Sequence, residues 1–204
     1  MDYIRKSPHR NQIEKYLYKF LPQLDGRVLE VGSKNRRYDS LFKNAPIAID
    51  ITPNETKGVI FGDINNLSFD SESFDAVVCL EVLEYVKTPE KAISEMSRVI
   101  KKEGTLILSV PFMYRVHDDM LRYTKKYLNQ SLSEDFSSVE CFSIGNAYTI
   151  ILDIIKDKIN KIHFTPLRYV CLLPYILFAL LIETGGPSKN GNFVSGYFVV
   201  AKKK

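Results

Sequence analysis

Through its first 111 residues the chain alternates short apolar runs with stretches of helical spacing. Apolar runs bounded by turn residues are typical of buried strands, and apolar residues recurring every three or four positions are typical of helices. The predicted strands are residues 28–31, 46–51, 57–61, 74–80 and 105–110, and the predicted helices are residues 12–21, 39–43 and 88–100. Thr88 is the predicted cap of the last helix, and the cations of residues 101–104 are predicted to lie at its end. This alternation predicts a parallel α/β sheet.

The pattern changes after residue 123. Residues 124–132 and 147–162 have helical spacing, and residues 139–144 and 193–201 read as strands. Between the last two strands, residues 169–182 contain no charged side chain. The length of 204 residues, with 45% apolar and 25% charged residues, fits one globular domain with a sizeable core.

Charge and cysteine usage exclude several classes of protein. The net charge of +4 is mild and comes partly from basic ends, and no nucleic-acid-binding motif accompanies it, so no nucleic-acid partner is expected. Cys79, Cys141 and Cys171 lack metal-ligand spacing, which predicts reduced thiols and no metal site. The N-terminal residues are charged and contain no apolar leader, which predicts a cytoplasmic protein.

The first two strands carry candidate binding chemistry at their ends. The first strand stops at Gly32, and the second apolar run ends in an acid, Asp50. A strand–loop–helix–strand unit binds a nucleoside at its carboxyl edge, and a carboxylate there can accept hydrogen bonds from both ribose hydroxyls. The glycine pattern of a dinucleotide site is absent, since Lys34 and Arg37 occupy the later positions. S-adenosyl-L-methionine, which has no phosphate, is therefore favoured over NAD.

Several ordered motifs follow at residues 59–111. They are Gly-Asp at 62–63, Ser-Phe-Asp at 73–75, Leu-Glu-Val-Leu-Glu at 80–84 and Arg-Val-Ile-Lys-Lys-Glu-Gly at 98–104. In this order they closely resemble the class I S-adenosylmethionine-dependent methyltransferases, over roughly residues 27–124 and again at the last strand. Ser33-Lys34, Tyr85 and Lys102-Glu103 depart from the usual second glycine, histidine and Pro-Gly.

The resemblance implies a Rossmann-like α/β fold with helices on both faces of a seven-stranded sheet. This sheet would be mostly parallel with an antiparallel last strand, and the sequence adds an apolar helix before that strand. Residues 1–204 would form a single class I methyltransferase domain. Residues 1–26 would be an N-terminal helical cap, 27–111 the cofactor-binding half, and 112–204 the substrate-side half with an apolar helical insertion at 166–184.

The resemblance also implies where S-adenosyl-L-methionine binds. Glu30 and Gly32 would hold the methionine end, and Asp50 the ribose. Asp63 and the Ile64 backbone would meet the adenine amino group. The full set of implied cofactor-binding residues is Glu30, Gly32, Ser33, Asp50, Ile51, Asp63, Ile64, Leu80 and Glu81.

Leu80 and Glu81, just beyond the fourth strand, would lie near the sulfonium. Two of the implied cofactor-binding residues also have simpler interpretations. The alternative for Glu81 is a solvated helix cap, and for Asp63 a turn-forming acid. Both alternatives stay open at the level of sequence.

The segment after the fifth strand resembles that of a subgroup found in bacterial glycan and cell-surface biosynthesis. His117, Asp119 and Arg122 match it, although the interval from histidine to aspartate is shorter here. His117 or Asp119 is the candidate general base, and the alternative for His117 is a loop histidine bonded to backbone. Arg122 would clamp an anionic substrate group or pair with Asp118 or Asp119.

The uncharged segment at residues 169–182 is too short for a spanning helix, and Pro174 interrupts it. One interpretation is a core or homodimer-interface helix. The other is an apolar surface that docks on a membrane or a lipid-linked substrate, which would place the protein peripherally at the inner face of the membrane.

The function predicted from the sequence is methyl transfer from S-adenosyl-L-methionine to a small-molecule or glycan/lipid-linked acceptor, at oxygen or nitrogen. The alternative is a non-catalytic partner subunit that keeps the methyltransferase fold. The replaced second glycine of the loop is the feature that suggests this alternative.

Overall fold

The computed structural model describes residues 5–116, 118–183 and 193–204. Within them, seven strands form one sheet: β1 (Val28–Val31), β2 (Ile47–Asp50), β3 (Val59–Phe61), β4 (Phe74–Leu80), β5 (Ile100–Pro111), β6 (Phe136–Ile144) and β7 (Gly196–Lys203). The α-helices are α1 (Pro8–Phe20), α2 (Pro89–Val99), α3 (Lys125–Ser133), α4 (Ala147–Asn160) and α5 (Thr165–Glu183).

The strand order is β3-β2-β1-β4-β5-β7-β6, and the first five of these pair in parallel. β7 runs antiparallel to both of its neighbours, β5 and β6. The predicted Rossmann-like sheet with an antiparallel last strand is thereby confirmed. The order reverses between β1 and β4, which is the switch point where such sheets bind ligands at their carboxyl edge.

Two apolar cores cover the two faces of the sheet. On one face Met96 of α2 and Leu128 of α3 pack with Leu108. On the other face Leu17 of α1 packs with Phe198. Because helices cover both faces, β1 is buried along its whole length, which explains the continuous apolar run in the sequence.

The structure corrects two predicted helix features. The helix predicted at residues 39–43 is only a single 3-10 turn, Asp39–Leu41. Phe42 ends this turn because it adopts an extended conformation and is buried beside α1. The hydroxyl of Thr88 does not cap α2 but donates to Asn65 Oδ1 at 2.8 Å.

Other elements begin earlier than predicted. α1 begins at Pro8, because the Ser7 hydroxyl accepts the Arg10 N–H at 3.1 Å and a proline suits the first helical turn. β5 follows α2 directly at Ile100, which pairs with Phe74 and is fully buried. The cations of residues 101–104 therefore lie in the strand and not at the helix end.

α4 and α5 form a third, separate apolar cluster. Leu152 and Ile159 of α4 pack against Leu172, Tyr175 and Ala179 of α5. The predicted apolar insertion thus corresponds to α5, and its final residue, Thr184, lies outside the described residues. Among the residues that the structure describes, no helix has the length and apolar character needed to cross a bilayer.

Candidate functional site

Two adjoining clefts lie at the carboxyl edge of the sheet, beneath the N-terminal end of α1. The smaller, about 170 Å³, is formed by the loop after β1 and the end of β4. The larger, about 520 Å³, lies between the start of α1, the end of β4 and the loop after β5. Arg10, Arg37 and Glu81 line both clefts, so the two open onto each other.

The loop after β1 requires glycine at position 32. Gly32 has φ +74°, and a Cβ there would lie 2.1 Å from Cγ2 of Val82. The N–H groups of Gly32 and Ser33 both donate to the Ile49 carbonyl, at 2.8 and 3.1 Å. The loop is therefore held against the end of β2 and leaves open backbone facing the smaller cleft.

Glu30 and Ser33 form a buried pair in the smaller cleft. Glu30 is 5% exposed, and the Ser33 hydroxyl donates to its carboxylate. Burial raises the pKa of Glu30, and the hydrogen bond from Ser33 partly opposes this shift. Ser33, which follows Gly32 in the loop, thus holds Glu30 in place.

Asp50 is positioned by two backbone groups. Its Oδ2 accepts the Lys34 N–H at 3.2 Å, and its Oδ1 accepts the Thr52 N–H at 2.7 Å. Each carboxylate oxygen retains a further acceptor position. Asp50 is bonded to Lys34, which lines the smaller cleft, but Asp50 itself does not line it. The neighbouring side chains of Ile51 and Phe61 are exposed, and they lie where β2 and β3 end.

Asp63 forms the turn after β3, and Ile64 is buried in the core. The Oδ1 atom of Asp63 accepts the Asn65 N–H at 2.8 Å, and the Asp63 carbonyl accepts the Asn66 N–H at 3.0 Å. The structure therefore shows the turn-forming arrangement. Leu80 lies partly buried at the end of β4 and lines the smaller cleft.

Glu81 is held at the boundary between the two clefts. Its Oε1 accepts the Ser109 hydroxyl at 2.9 Å, and its backbone N–H donates to the Ser109 carbonyl at 3.0 Å. Its φ is +55°, a conformation that costs free energy for a non-glycine residue and is concentrated at functional sites. The Oε2 atom of Glu81 lies 3.2 Å from Nε2 of His9.

His9 is a site residue that sequence reasoning missed. It is 2% exposed, and its ring stacks on Tyr114 at a centroid distance of 4.4 Å. Its Nδ1 lies 2.8 Å from Ser195 Oγ, whose hydroxyl donates to the Ile144 carbonyl at 2.9 Å. The Ser195 hydroxyl proton is thus already used, so Nδ1–H of His9 donates to Ser195, and Nε2 faces Glu81.

Glu84 is the second missed residue. It is 2% exposed and lines the larger cleft, and within the described residues its Oε2 has no hydrogen-bond partner. Burial raises the pKa of Glu84 to about 8, and the charge of Glu81 contributes to the shift. A carboxyl group with this pKa in a cleft is a candidate for proton transfer.

Asp119 and Arg122 form an ion pair in the loop after β5. Nε–H of Arg122 donates to Asp119 Oδ2 at 2.5 Å, and its other donors reach the Phe112 and Arg115 carbonyls, each at 3.1 Å. Of the two arrangements predicted for Arg122, the structure shows the ion pair. His117 lies outside the described residues.

The larger cleft carries an excess of positive charge. Its cationic lining residues are Arg5, Lys6, Arg10, Arg37, Arg115 and Arg122, and its acids are Glu81, Glu84 and Asp119. Asp119 is neutralised by Arg122, and the pKa of about 8 keeps Glu84 largely protonated near pH 7. The remaining field attracts an anionic group.

Comparisons with known proteins give a match to one family model and similarity to several proteins. Residues 29–108 match the family model described as a methyltransferase domain. The chain is 28% identical over 171 residues to an uncharacterised protein of Methanocaldococcus jannaschii, covering 76% of this chain and 80% of that protein. A shorter stretch of 46 residues is 39% identical to phosphatidylethanolamine N-methyltransferase of Cereibacter sphaeroides, covering 22% of this chain and 23% of that one.

Among solved structures, phosphoethanolamine N-methyltransferase 2 of Haemonchus contortus in complex with S-adenosyl-L-methionine superposes with a TM-score of 0.64 at 17% identity. The superposition covers 95% of this chain and 52% of that protein, so the chain spans about half of its length. The match to the methyltransferase domain covers residues 29–108, and the superposition shows a fold shared with that methyltransferase.

Proposed function

We propose that this protein transfers a methyl group from S-adenosyl-L-methionine to oxygen or nitrogen of a small-molecule or glycan/lipid-linked acceptor. One observation carries the proposal: a cleft with the cofactor-binding features of the sheet edge opens directly onto a second, basic cleft, and Glu81 lies between them. A donor in the first cleft and an acceptor in the second would meet at Glu81.

Residues of the smaller cleft and of the neighbouring ends of β2 and β3 fit the cofactor. Gly32 lines the smaller cleft with backbone only, since it has no side chain. Asp50 offers one acceptor position on each oxygen to the two ribose hydroxyls. The exposed side chains of Ile51 and Phe61 offer apolar surface to an adenine, near the turn of Asp63.

When bound, the cofactor supplies an activated methyl carbon, so the chain has to align the acceptor with it. Positioning alone contributes about 7–11 kcal/mol in well-oriented reactions. Glu81, held by Ser109 and His9, would fix the acceptor at the boundary of the clefts.

Glu84 is our candidate for the general base. Glu84 lines the acceptor cleft, and its buried Oε2 has no hydrogen-bond partner among the described residues. With a pKa of about 8, its deprotonated fraction, which can accept a proton, rises as the pH approaches 8. For Asp119 and Arg122 we propose a positioning role, because their ion pair and the bond from Arg122 to the Phe112 carbonyl fix the loop after β5, which lines the larger cleft. The base role of His117 stays a prediction.

The charge of the larger cleft favours an acceptor that carries a phosphate or carboxylate beside the methyl-accepting atom. Arg10 and Arg37 reach the cofactor side of this cleft and are the residues we expect to contact that group. Two relatives are named for methyl transfer to nitrogen of phosphatidylethanolamine and phosphoethanolamine, acceptors that combine a phosphate with an amine.

The alternative is a non-catalytic partner subunit that keeps the methyltransferase fold. Lys34 stands at the position of the second glycine, whereas Ser33 beside it holds the buried carboxylate of Glu30. Calorimetric titration separates the two functions, because a partner subunit that had lost the cofactor pocket would bind no S-adenosylhomocysteine.

Two measurements test the proposal. Calorimetric titration with S-adenosylhomocysteine should show binding. Radiolabelled methyl groups from S-adenosyl-L-methionine should then appear in a fraction of cell-envelope sugars and lipids incubated with the protein. A folded protein that binds no S-adenosylhomocysteine would refute the proposed donor. Binding without transfer to any phosphorylated, carboxylated or lipid fraction would refute the proposed acceptor class.

A further inference from the structure

We propose that α4 and α5, together called the apolar hairpin, form a docking surface for a bilayer that contains anionic lipids. This inference goes beyond methyl transfer and does not depend on it. It rests on exposed apolar side chains, on the charges beside them, and on the place of the hairpin next to the acceptor cleft.

α5 exposes an unusually large apolar face. Its buried stripe consists of Leu172, Tyr175 and Ala179, which pack against α4. Six residues on the opposite side are between 48% and 72% exposed: Leu167, Val170, Leu173, Leu177, Leu180 and Leu181. At 3.6 residues per turn they cover about 140° of the circumference. A helix with apolar residues on two opposite sides is normally buried by other elements on both sides. A contiguous apolar patch that stays exposed marks an interaction surface.

α4 also exposes apolar side chains. They are Tyr148, Ile151, Ile154 and Ile155. Because the buried stripe of α5 packs on α4, the exposed face of α5 lies on the side turned away from α4. The face of α5 is therefore the part of the apolar hairpin that we expect to contact the bilayer.

Cations lie where the two helices meet. Lys158 and Lys161 are exposed at the end of α4, and Arg168 lies in the first turns of α5, with its guanidinium 5.8 Å from the ring of Tyr169. Lys161 also pairs with Asp157 at 2.7 Å. Apolar surface flanked by lysine and arginine is the pattern of helices that lie on anionic bilayers.

This charge distribution favours a bilayer over a second copy of the chain. In a symmetric dimer the same surface would face itself. The acids of α4 are Asp153 and Asp157, and both are already engaged within the chain: Asp157 pairs with Lys161 and Arg115, and Asp153 accepts the His9 N–H. Residues 169–182 of α5 contain no acidic side chain. Anionic headgroups provide that charge, and acyl chains provide the apolar medium.

The position of the apolar hairpin also suits a membrane-bound acceptor. A further cleft, of about 620 Å³, lies between α4 and the loop after β5, and its lining is largely charged, with Asp153, Asp157 and Lys158 beside Ile150 and Ile154. It shares Tyr114 and Arg115 with the basic acceptor cleft. The apolar hairpin therefore adjoins the acceptor cleft, so a bilayer docked on it would lie near the acceptor site.

The test is flotation of the full-length protein with vesicles of phosphatidylcholine, with and without phosphatidylserine. The wild type should float with the mixed vesicles. Leu177→Glu/Leu181→Glu should bind them about tenfold or more weakly, because charged side chains replace two leucines that would be buried among acyl chains. Ile60→Glu is the matched control: Ile60 is an exposed apolar residue on β3, outside the apolar hairpin, and its variant should bind as the wild type does.

The charge component is tested separately with Lys158→Gln. This variant should bind mixed vesicles about fivefold more weakly, since one cation near an anionic surface contributes about 1 kcal/mol. Binding to vesicles of phosphatidylcholine alone should not change. Equal binding of wild type and Lys158→Gln to both kinds of vesicle would refute the anionic-lipid part of the proposal.

Sedimentation of the same proteins without vesicles shows whether a bilayer or a second copy of the chain covers the exposed apolar face. A wild type that forms dimers, dissociates on Leu177→Glu/Leu181→Glu and does not float would show that a second copy covers the surface, and would overturn the proposal. If the double variant does not fold, Leu173→Gln replaces it. Unaltered flotation of a folded surface variant also overturns the proposal. None of these readouts requires cofactor binding, so the two proposals fail independently.

Discussion

At the scale of single residues, Asp50 illustrates how a site is prepared by backbone. Its two oxygens each accept one N–H, from Lys34 and Thr52, which orients the carboxylate before any ligand arrives. The acid at the end of a strand was visible in the sequence. The two backbone donors were not, because one of them lies on a different loop, 16 residues away.

Asp50→Ala should weaken binding of S-adenosylhomocysteine by about tenfold or more. Hydrogen bonds to a charged acceptor contribute about 1.5–3 kcal/mol each, and the variant removes both proposed ribose contacts. Calorimetric titration measures the effect, and a thermal melt confirms the fold. Glu55→Ala, on the exposed turn after β2, is a control that should bind normally. Unchanged affinity in a folded Asp50→Ala protein would refute the ribose assignment.

Glu84 should make stability depend on pH. Its pKa is about 8 in the folded chain, against an ordinary value near 4.3 when unfolded. Between these values the folded state holds a proton that the unfolded state has lost, so stability falls as pH rises through this window. Glu84→Gln does not titrate. From pH 5 to pH 8, the melting temperature of the wild type should therefore fall relative to the variant by at least about 2–4 °C.

Scanning calorimetry at several pH values checks this expectation, and parallel curves for the two proteins would contradict it. A pH–rate profile then separates a base from a purely structural carboxyl. Once an acceptor is known, wild-type turnover should rise as the pH rises towards about 8. The turnover of Glu84→Gln should be about 10²–10⁴-fold lower than that of the wild type.

At the scale of elements, the loop after β1 depends on one glycine. Gly32→Ala should lower stability by at least about 1–2 kcal/mol, the cost of a left-handed conformation in a residue with a Cβ. The contact with Val82 adds to this cost. A lower melting temperature and weaker S-adenosylhomocysteine binding are both expected.

Gly58→Ala provides a matched control for this glycine. Gly58 also has positive φ, +66°, but the atom nearest to a Cβ there is 3.8 Å away on the Arg36 side chain. The control should therefore lose stability without losing affinity. If Gly32→Ala lowers neither the melting temperature nor the affinity for S-adenosylhomocysteine more than Gly58→Ala does, the close contact at Gly32 has no special role.

The strands were more predictable from sequence than the contacts between distant elements. β1 and β4 were predictable because burial on both faces produces continuous apolar runs. His9 was not, since its partners Glu81 and Ser195 lie 72 and 186 residues away in sequence. Thr88 has the sequence signature of a helix cap, but its hydroxyl donates instead to Asn65 Oδ1. A local sequence pattern does not show that a residue elsewhere in the chain offers a competing hydrogen bond.

At the scale of the whole molecule, the candidate site joins parts of the chain that are far apart. The start of α1 meets the ends of β1 and β4, and Ser195 completes the contacts of His9 just before β7. A ligand bound across these elements favours the folded state over the unfolded one.

S-adenosylhomocysteine should therefore raise the melting temperature. At about 100 times its dissociation constant, a ligand specific for the folded state adds about 2.7 kcal/mol. This corresponds to about 5–11 °C for a chain of this size. NADH at the same concentration is the control and should give no shift, because the loop after β1 lacks the glycines of a dinucleotide site. A shift with NADH alone would reverse the choice of cofactor.

The place of β7 in the sheet has a consequence for biosynthesis. β7 lies between β5 and β6, although it follows both in the chain, with α4 and α5 in the interval. Until residues 196–203 have left the ribosome, β6 has no neighbouring strand and β5 has a bare edge. Non-local pairing of this kind is slow, and unpaired edges promote aggregation. Before β7 is synthesised, the nascent chain thus exposes strand edges and the apolar hairpin at the same time. We expect binding of a chaperone or a membrane at this stage to reduce aggregation.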